Sequence, residues 1–176
     1  MPSGHSDPVA SEEPAFRVRP LELPDAEAIA AWRYEGPWSV YDSRPGDGLL
    51  SAADGYHAVA DAAGSLVGFL CLGQEARVPG LAADENVVDV GVGMRPDLVG
   101  RGRGPAFGAA VLDYVRGRRG DLPLRAVVQS WNERSLRLTR RLGFRVNGTH
   151  TCIQDGREVS YTVLVLPPAS AARDGE

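Results

Sequence analysis

Apolar and polar positions along the chain recur with two periods, which predict strands and helices in alternation. Residues 16–21 alternate apolar and polar side chains, as a half-buried strand does. Residues 23–34 place their apolar side chains on one helical face, which predicts an amphipathic helix. The next segment, residues 34–48, is rich in aromatic residues, Gly and Pro, and predicts an irregular loop with a short helix behind it.

The rest of the chain continues this alternation. A turn at Asp61–Gly64 joins two strands, the second running on toward Glu75. Then follow a strand at Val87–Met94, a helix at Ala106–Arg118, a strand at Leu124–Trp131, a helix from the N-cap Asn132 to Gly143, and two strands joined at Asp155-Gly156. Seven strands interleaved with helices predict an α/β (α+β) fold.

The chain length suits one domain. The chain has 176 residues, of which 43% are hydrophobic, enough for a real core. Residues 1–14 and 168–176 are polar and lack apolar runs, so we expect disordered tails around a domain at 15–167. No stretch suits a membrane span or a signal peptide, which predicts a cytoplasmic protein that does not bind membranes.

Charge and cysteine usage exclude several function classes. The net charge of −4 opposes nucleic-acid binding, and a chain without lysine has no lysine nucleophile. Cys71 and Cys152 lie in apolar runs without metal-ligand spacing, which predicts buried thiols. Three scattered histidines form no ligand cluster, so we expect no metal.

The stretch VGRGRGPAF (99–107) lies between a buried strand and a helix. Glycines there leave N–H groups unpaired at a helix N-terminus, which is an anion site, and a pyrophosphate cradle is one interpretation. A solvated tight turn is the other. The G-x-G-x-x-G fingerprint fails in every register, and a P-loop needs a lysine that this chain lacks.

The segment MRPDLVGRGRGPAFGAAVLDYV (94–115) resembles the acyl-CoA-binding segment of the GCN5-related N-acetyltransferases, whose pattern is Q/R-x-x-G-x-G/A. Counting from Pro96, the pattern falls on Val99–Gly104, with Val99 departing from Q/R. A shift of two residues puts Arg101, Gly104 and Ala106 on the pattern but spoils the spacing from the proline. Both registers use the same cradle.

A second segment, NERSLRLTRRLGF (132–144), is similar to the family's N-x-x-A-x-x-L-Y-x-x-x-G-F. It matches at Asn132, Leu138, Gly143 and Phe144, with Ser135 at the small position and Thr139 at the tyrosine position. With the order of elements, the resemblance covers roughly Phe16 to Pro167. It implies a mixed, mostly antiparallel central sheet of about seven strands flanked by helices, splayed between its fourth and fifth strands.

The resemblance also implies a reaction and a set of binding residues. Acetyl-CoA would be the co-substrate, its pantetheine pairing with the strand edge at Gly91–Arg95, and a main-chain N–H at Val92–Met94 would stabilise the oxyanion. The expected acceptor is a primary amine of a small molecule or of a protein N-terminus. The expected CoA-binding residues are Val92, Gly93, Met94, Val99, Gly100, Arg101, Gly102, Arg103, Gly104, Ala106, Asn132, Ser135 and Thr139.

The sequence gives several candidates for the catalytic residues. Asp89, close to where relatives carry a glutamate, and Glu85 at the start of that strand are the candidate bases; alternatively, Asp89 orders a loop or pairs with an arginine. Many relatives protonate the thiolate with a tyrosine, and here Thr139 stands at that position. Tyr161 or water would then supply the proton.

Trp38, Tyr41 and Trp131 are candidate walls of the acceptor pocket, with core packing as the alternative. Arginines of the helix after Asn132 form a basic face that is either solvated or in contact with nucleotide phosphates. The alternative function is binding of acyl-CoA without catalysis. A monomer or a homodimer is expected.

Overall fold

The computed structural model describes residues 15–172 and contains one seven-stranded sheet in the order β1-β2-β3-β4-β5-β7-β6. The strands are β1 (Phe16–Pro20), β2 (Tyr56–Asp61), β3 (Leu66–Leu72), β4 (Val88–Met94), β5 (Leu124–Gln129), β6 (Arg145–Gln154) and β7 (Arg157–Leu166). The α-helices are α1 (Leu23–Ala30), α2 (Gly104–Arg119) and α3 (Glu133–Arg141). The predicted fold class is confirmed.

The sheet divides where β4 meets β5. Every other pair of neighbouring strands is antiparallel, whereas β4 and β5 are parallel and pair only at Val88 with Leu124 and at Asp89 with Arg125. Beyond Asp89 the two strands separate, although β4 stays paired with β3 as far as Met94. This separation is the predicted splay of the fourth and fifth strands.

The helices cover both faces of the sheet. Phe107, Val111 and Val115 of α2 are at most 2% exposed and pack in one core cluster with Val59 of β2. The next residue back along β2, Ala58, packs in a second cluster with α1. Because successive strand residues point to opposite faces, α1 and α2 lie on opposite sides of the sheet.

Turn residues end the elements largely where the sequence predicts. Gly143 has a left-handed φ of +98° after α3, and Asp155 and Gly156, with φ of 51° and 72°, form the tight turn between β6 and β7. The expected run of β3 toward Glu75 is wrong. β3 ends at Leu72, because Gly73, at φ +71°, opens a 3₁₀ turn over Gly73–Ala76.

The predicted chain ends are only partly within the described residues. The expected tail at residues 1–14 lies outside them, as do the last four residues. Of the other expected tail, residues 168–172 are described and contain a 3₁₀ turn at Ser170–Ala172. The Asp121 carboxylate accepts the N–H groups of Ala169 and Ser170 there.

Gly68 of β3 lets α2 approach the end of β4. A Cβ at this position would lie 2.5 Å from the Gly93 carbonyl oxygen and 2.5 Å from the ring of Phe107. Neither neighbour has room to move, since one is sheet backbone and Phe107 is 1% exposed. The absent side chain therefore sets how closely α2 lies against the open strand.

We expect Gly68→Ala to lower the free energy of unfolding by about 1–3 kcal/mol, because the added methyl overpacks the core. Gly117→Ala is the matched control, since a Cβ there meets nothing within 4 Å and α2 continues through it. Gly117→Ala should raise the free energy of unfolding by up to about 1 kcal/mol, because alanine has the higher helix propensity. Urea unfolding measures both, and equal stability of the two variants would contradict the close approach.

Candidate functional site

The edge of β4 that faces the splay carries unpaired backbone groups. The Val88 N–H donates to Pro123, beside β5, and the Arg95 N–H donates to Val67 of β3. Because successive residues of a strand point their N–H groups to alternate sides, Val92 and Met94 direct theirs into the gap. Gly93 directs its N–H to β3, and a Cβ there would lie 2.3 Å from the Phe69 ring.

Tyr34 closes the end of this edge and is a residue that the sequence did not single out. Its hydroxyl donates to the Met94 carbonyl at 2.7 Å. Burial, with smaller effects from Asp42 and Tyr41, raises the pKa of Tyr34 to about 12, so the hydroxyl keeps its proton at neutral pH. The one sequence feature that could have indicated Tyr34 is its place at the start of the aromatic loop.

The glycine loop leads from β4 into α2 with its backbone exposed. Gly100 and Gly102 have left-handed φ values of +74° and +76°, and a Cβ at Gly102 would meet nothing within 4 Å. The N–H groups of residues 100–104 and of Ala106 donate to no other described residue, and the first helical bond runs from Phe107 to Arg103. Unpaired N–H groups at a helix N-terminus form an anion site.

Helix α3 lies beside this loop. Leu138 packs against Gly104, where a Cβ would lie 3.1 Å from it. The Arg134 guanidinium would lie 3.9 Å from a Cβ at Gly100, and it stands 4.3 Å from the centre of the Trp38 ring. The ring face attracts the cation and so orients it. Among the arginines of α3, Arg134 brings positive charge to the loop.

The predicted polar residues of α3 have partners inside the protein. Asn132 is 3% exposed, and its Oδ1 accepts the Ser135 N–H as an N-cap and the Trp38 indole N–H. Its Nδ2 donates to the Tyr41 hydroxyl at 3.0 Å. The Thr139 hydroxyl donates to the Ser135 carbonyl at 2.7 Å. Asn132 thus ties the start of α3 to the aromatic loop.

The three predicted aromatic walls come together. Trp131 lies against Trp38 with ring centres 5.9 Å apart, and it stacks on Tyr41 at 6.3 Å. Trp38 and Tyr41 belong to a 3₁₀ segment at Gly36–Tyr41, whereas Trp131 follows β5. The cluster connects the glycine loop, through Arg134 and Trp38, to the end of β5.

A pocket of about 520 Å³ has Tyr41 in its lining. Its polar lining includes Gln129 of β5, Gln154 of β6 and Tyr161 of β7, and its apolar lining includes Val40 and Val159. The Tyr161 hydroxyl donates to the Gln154 side-chain oxygen. Burial raises the pKa of Tyr161, so this hydroxyl keeps its proton at neutral pH.

Asp89 stands at the last pair that β4 and β5 share, between two arginines. Its carboxylate is 4% exposed and accepts hydrogen bonds from Arg125 at 2.6 and 3.1 Å and from Arg77 at 3.1 Å. Arg125 also donates to the Ala82 carbonyl, which fixes the loop before β4. Glu85, the other candidate base, is exposed in that loop.

Other chemistry finds little support in the described part of the chain. Residues 15–172 contain no group of three or more His, Cys, Asp and Glu side chains arranged to hold a metal ion. Burial raises the pKa of Cys71 to about 12, which leaves this thiol unreactive at neutral pH. None of the helices described is long and apolar enough to cross a bilayer.

Comparisons with known proteins agree with this geometry. The sequence model of the acetyltransferase (GNAT) family matches residues 20–144. A search among curated protein sequences finds no match. A solved protein assigned as a phosphinothricin N-acetyltransferase is 20% identical with a TM-score of 0.65, over 88% of this chain and 99% of its own.

Two further solved structures have the same fold. A spermidine N-acetyltransferase chimera from Vibrio cholerae and hSSAT is 17% identical with a TM-score of 0.63, over 90% of this chain and 99% of its own. A Salmonella typhimurium protein assigned as an acetyltransferase, with its cofactor acetyl-CoA, is 22% identical with a TM-score of 0.60, over 87% of this chain and 94% of its own.

We expect Asp89→Asn to lower the free energy of unfolding by about 3 kcal/mol, because it leaves two arginines beside a buried position without their counter-charge. Glu85→Gln is the control, and its exposed position should keep stability within about 0.5 kcal/mol of the parent. Urea unfolding at pH 7 compares them. If Asp89→Asn is as stable as the control, the carboxylate does not hold the strands together.

Proposed function

The chain belongs to the acetyltransferase (GNAT) family, and from this premise we propose that it transfers acetyl from acetyl-CoA to a primary amine. The acceptor is the amine of a small molecule or of a protein N-terminus, and the amine attacks the thioester directly while both substrates are bound. The observation that carries the proposal is the run of unpaired N–H groups at residues 100–104, next to the open edge of β4.

The glycine loop suits the diphosphate of coenzyme A. The glycines have no side chain, so a phosphate can approach their exposed N–H groups. The α2 dipole adds about 0.3–1 kcal/mol to the binding of an anion there. Arg134, held by Trp38, adds charge at the same place. Nothing fills the space beside Gly102, so the loop offers room for the ligand.

The open edge of β4 suits the rest of the cofactor arm. Pantetheine carries amide groups that hydrogen-bond to a strand edge as another strand would. The Val92 and Met94 N–H groups are then the candidates for stabilising the oxyanion that forms as the amine attacks. Binding both reactants in line supplies up to about 7–11 kcal/mol in the best intramolecular cases, so positioning carries much of the rate.

Proton transfer falls to Tyr161 and water in this mechanism. An amine with a pKa of about 10.4 costs about 4.6 kcal/mol to deprotonate at pH 7, and water in the pocket accepts that proton. The Tyr161 hydroxyl, which burial keeps protonated at neutral pH by raising its pKa, is the candidate donor of a proton to the leaving thiolate. We assign Asp89 to positioning, because both its oxygens already bind arginines.

Binding of acyl-CoA without turnover is the second candidate function. Two observations favour it: the Thr139 hydroxyl is bound to its own helix, and Asp89 is committed to Arg125 and Arg77. A panel of primary amines assayed for thiol release from acetyl-CoA separates the two functions. Release with at least one amine supports transfer, whereas saturable CoA binding with no release from any amine supports the silent protein.

We expect Gly102→Glu to weaken coenzyme A binding at least a hundredfold, because its carboxylate meets the diphosphate. Gly64→Glu is the matched control, since Gly64 has a similar φ of +84° and equally open surroundings in the turn between β2 and β3. Both substitutions carry the same backbone strain and charge. Calorimetric titration with coenzyme A measures the affinities, and equal affinity of the two variants would place the diphosphate elsewhere.

We expect Tyr161→Phe to lower kcat about a hundredfold, since proton transfer by a positioned side chain contributes about 10² or more. KM for acetyl-CoA should stay unchanged. Tyr114→Phe is the control, because Tyr114 lies on α2 against His57 and Arg118. Steady-state kinetics with the best amine of the panel provides the test, and a wild-type kcat in Tyr161→Phe would remove this residue from the chemistry.

A further inference from the structure

The charges around the 520 Å³ pocket are unevenly balanced. Arg44, Asp155 and Arg157 are the charged members of its lining, which gives two cations against one anion. The chain as a whole has a formal net charge of −4, so this local excess of positive charge runs against the composition. A pocket of this sign attracts anions and repels cations.

The one acidic side chain of the lining is already paired. Arg44 Nη1 lies 2.6 Å from Asp155 Oδ2, so this bridge joins the segment after Tyr41 to the turn between β6 and β7. Asp155 is therefore poorly placed to bind an ammonium group in addition to the Arg44 guanidinium. A polyamine, whose extra charged amines need free carboxylates, does not fit this lining.

Arg157 is the unmatched charge. It opens β7, two residues from Asp155, and its guanidinium makes no hydrogen bond or ion pair with another residue in the described part of the chain. Guanidinium groups bind carboxylates through two parallel hydrogen bonds, a geometry that gives both strength and orientation. An acceptor with a carboxylate would satisfy Arg157 where the protein itself does not.

The remaining lining suits the rest of such a molecule. Val40 and Val159 supply an apolar surface, and the pocket volume is that of a small-molecule site. The amide oxygens of Gln129 and Gln154 accept from the Trp131 indole and the Tyr161 hydroxyl, and the second lone pair of each oxygen can accept from an amine. Carboxylate, amine and apolar body are the three parts of an amino acid.

We propose that the acceptor is a small amine that also carries a carboxylate, and that Arg157 binds this carboxylate. This inference rests on the proposed acetyl transfer. The residue is a specificity determinant: it selects the acceptor and orients its amine. The Arg44–Asp155 ion pair joins the loop after Tyr41 to the turn between β6 and β7 at the rim of the pocket.

The test compares leucine with 3-methylbutylamine, which has the same body and amine but no carboxylate, and with spermidine. We expect the protein to acetylate leucine. In Arg157→Gln the KM for leucine should be at least about tenfold higher than in the parent, because one charged hydrogen-bonded contact is lost. The KM for 3-methylbutylamine should not rise, because this amine has no carboxylate for Arg157 to bind. Arg145→Gln is the control, since Arg145 is exposed at the start of β6.

A second measurement keeps the result independent of turnover. Calorimetry with N-acetylleucine, on protein loaded with coenzyme A, should show binding that Arg157→Gln weakens at least about tenfold and Arg145→Gln leaves unchanged. Equal binding by all three proteins, or a preference for spermidine over leucine, would overturn the assignment. Binding of N-acetylleucine through Arg157 without any thiol release would retain the site and overturn the proposed transfer instead.

Discussion

The structure depends on how few hydrogen bonds β4 and β5 share. The two strands pair at Val88 and Asp89 and then diverge, and at the point of divergence one carboxylate binds Arg125 of β5 and Arg77 of the preceding loop. Breaking a sheet in its middle leaves backbone groups without partners, which is unfavourable unless a ligand or water satisfies them. The buried ion pair of Asp89 joins the two strands at the point where the gap begins.

Missing side chains serve two purposes around this gap. Gly68 and Gly93 let Phe107 and Phe69 pack directly onto the backbone of β3 and β4, which brings the N-terminus of α2 to the end of the open strand. Gly100 and Gly102 instead face solvent in left-handed conformations and expose their N–H groups. The same residue type thus builds the frame on the inside and the anion site on the outside.

Arginine takes every basic role in this chain, and its environment decides which role. Arg125 binds a buried carboxylate with two nitrogens, Arg134 lies on an indole ring beside the glycine loop, and the Arg157 guanidinium lines a pocket without a partner among the residues that the structure describes. A planar guanidinium suits all three settings because it pairs, stacks and retains its charge. The sequence shows only that arginines are present, since their spacing carries no sign of these differences.

What the sequence determined by itself is local. Strand and helix periods, the N-cap Asn132, the turn at Asp155-Gly156 and the glycine loop follow from interactions within a few residues, and the structure contains each of them. Tertiary structure alone decided the rest: Asp89 meets Arg125 across 36 residues, Asn132 meets Tyr41 across 91, and Arg44 meets Asp155 across 111. These contacts depend on strand order and on the path of irregular loops. The local pattern of apolar and polar residues encodes neither the strand order nor the loop path, because each contact forms only after distant segments have packed together.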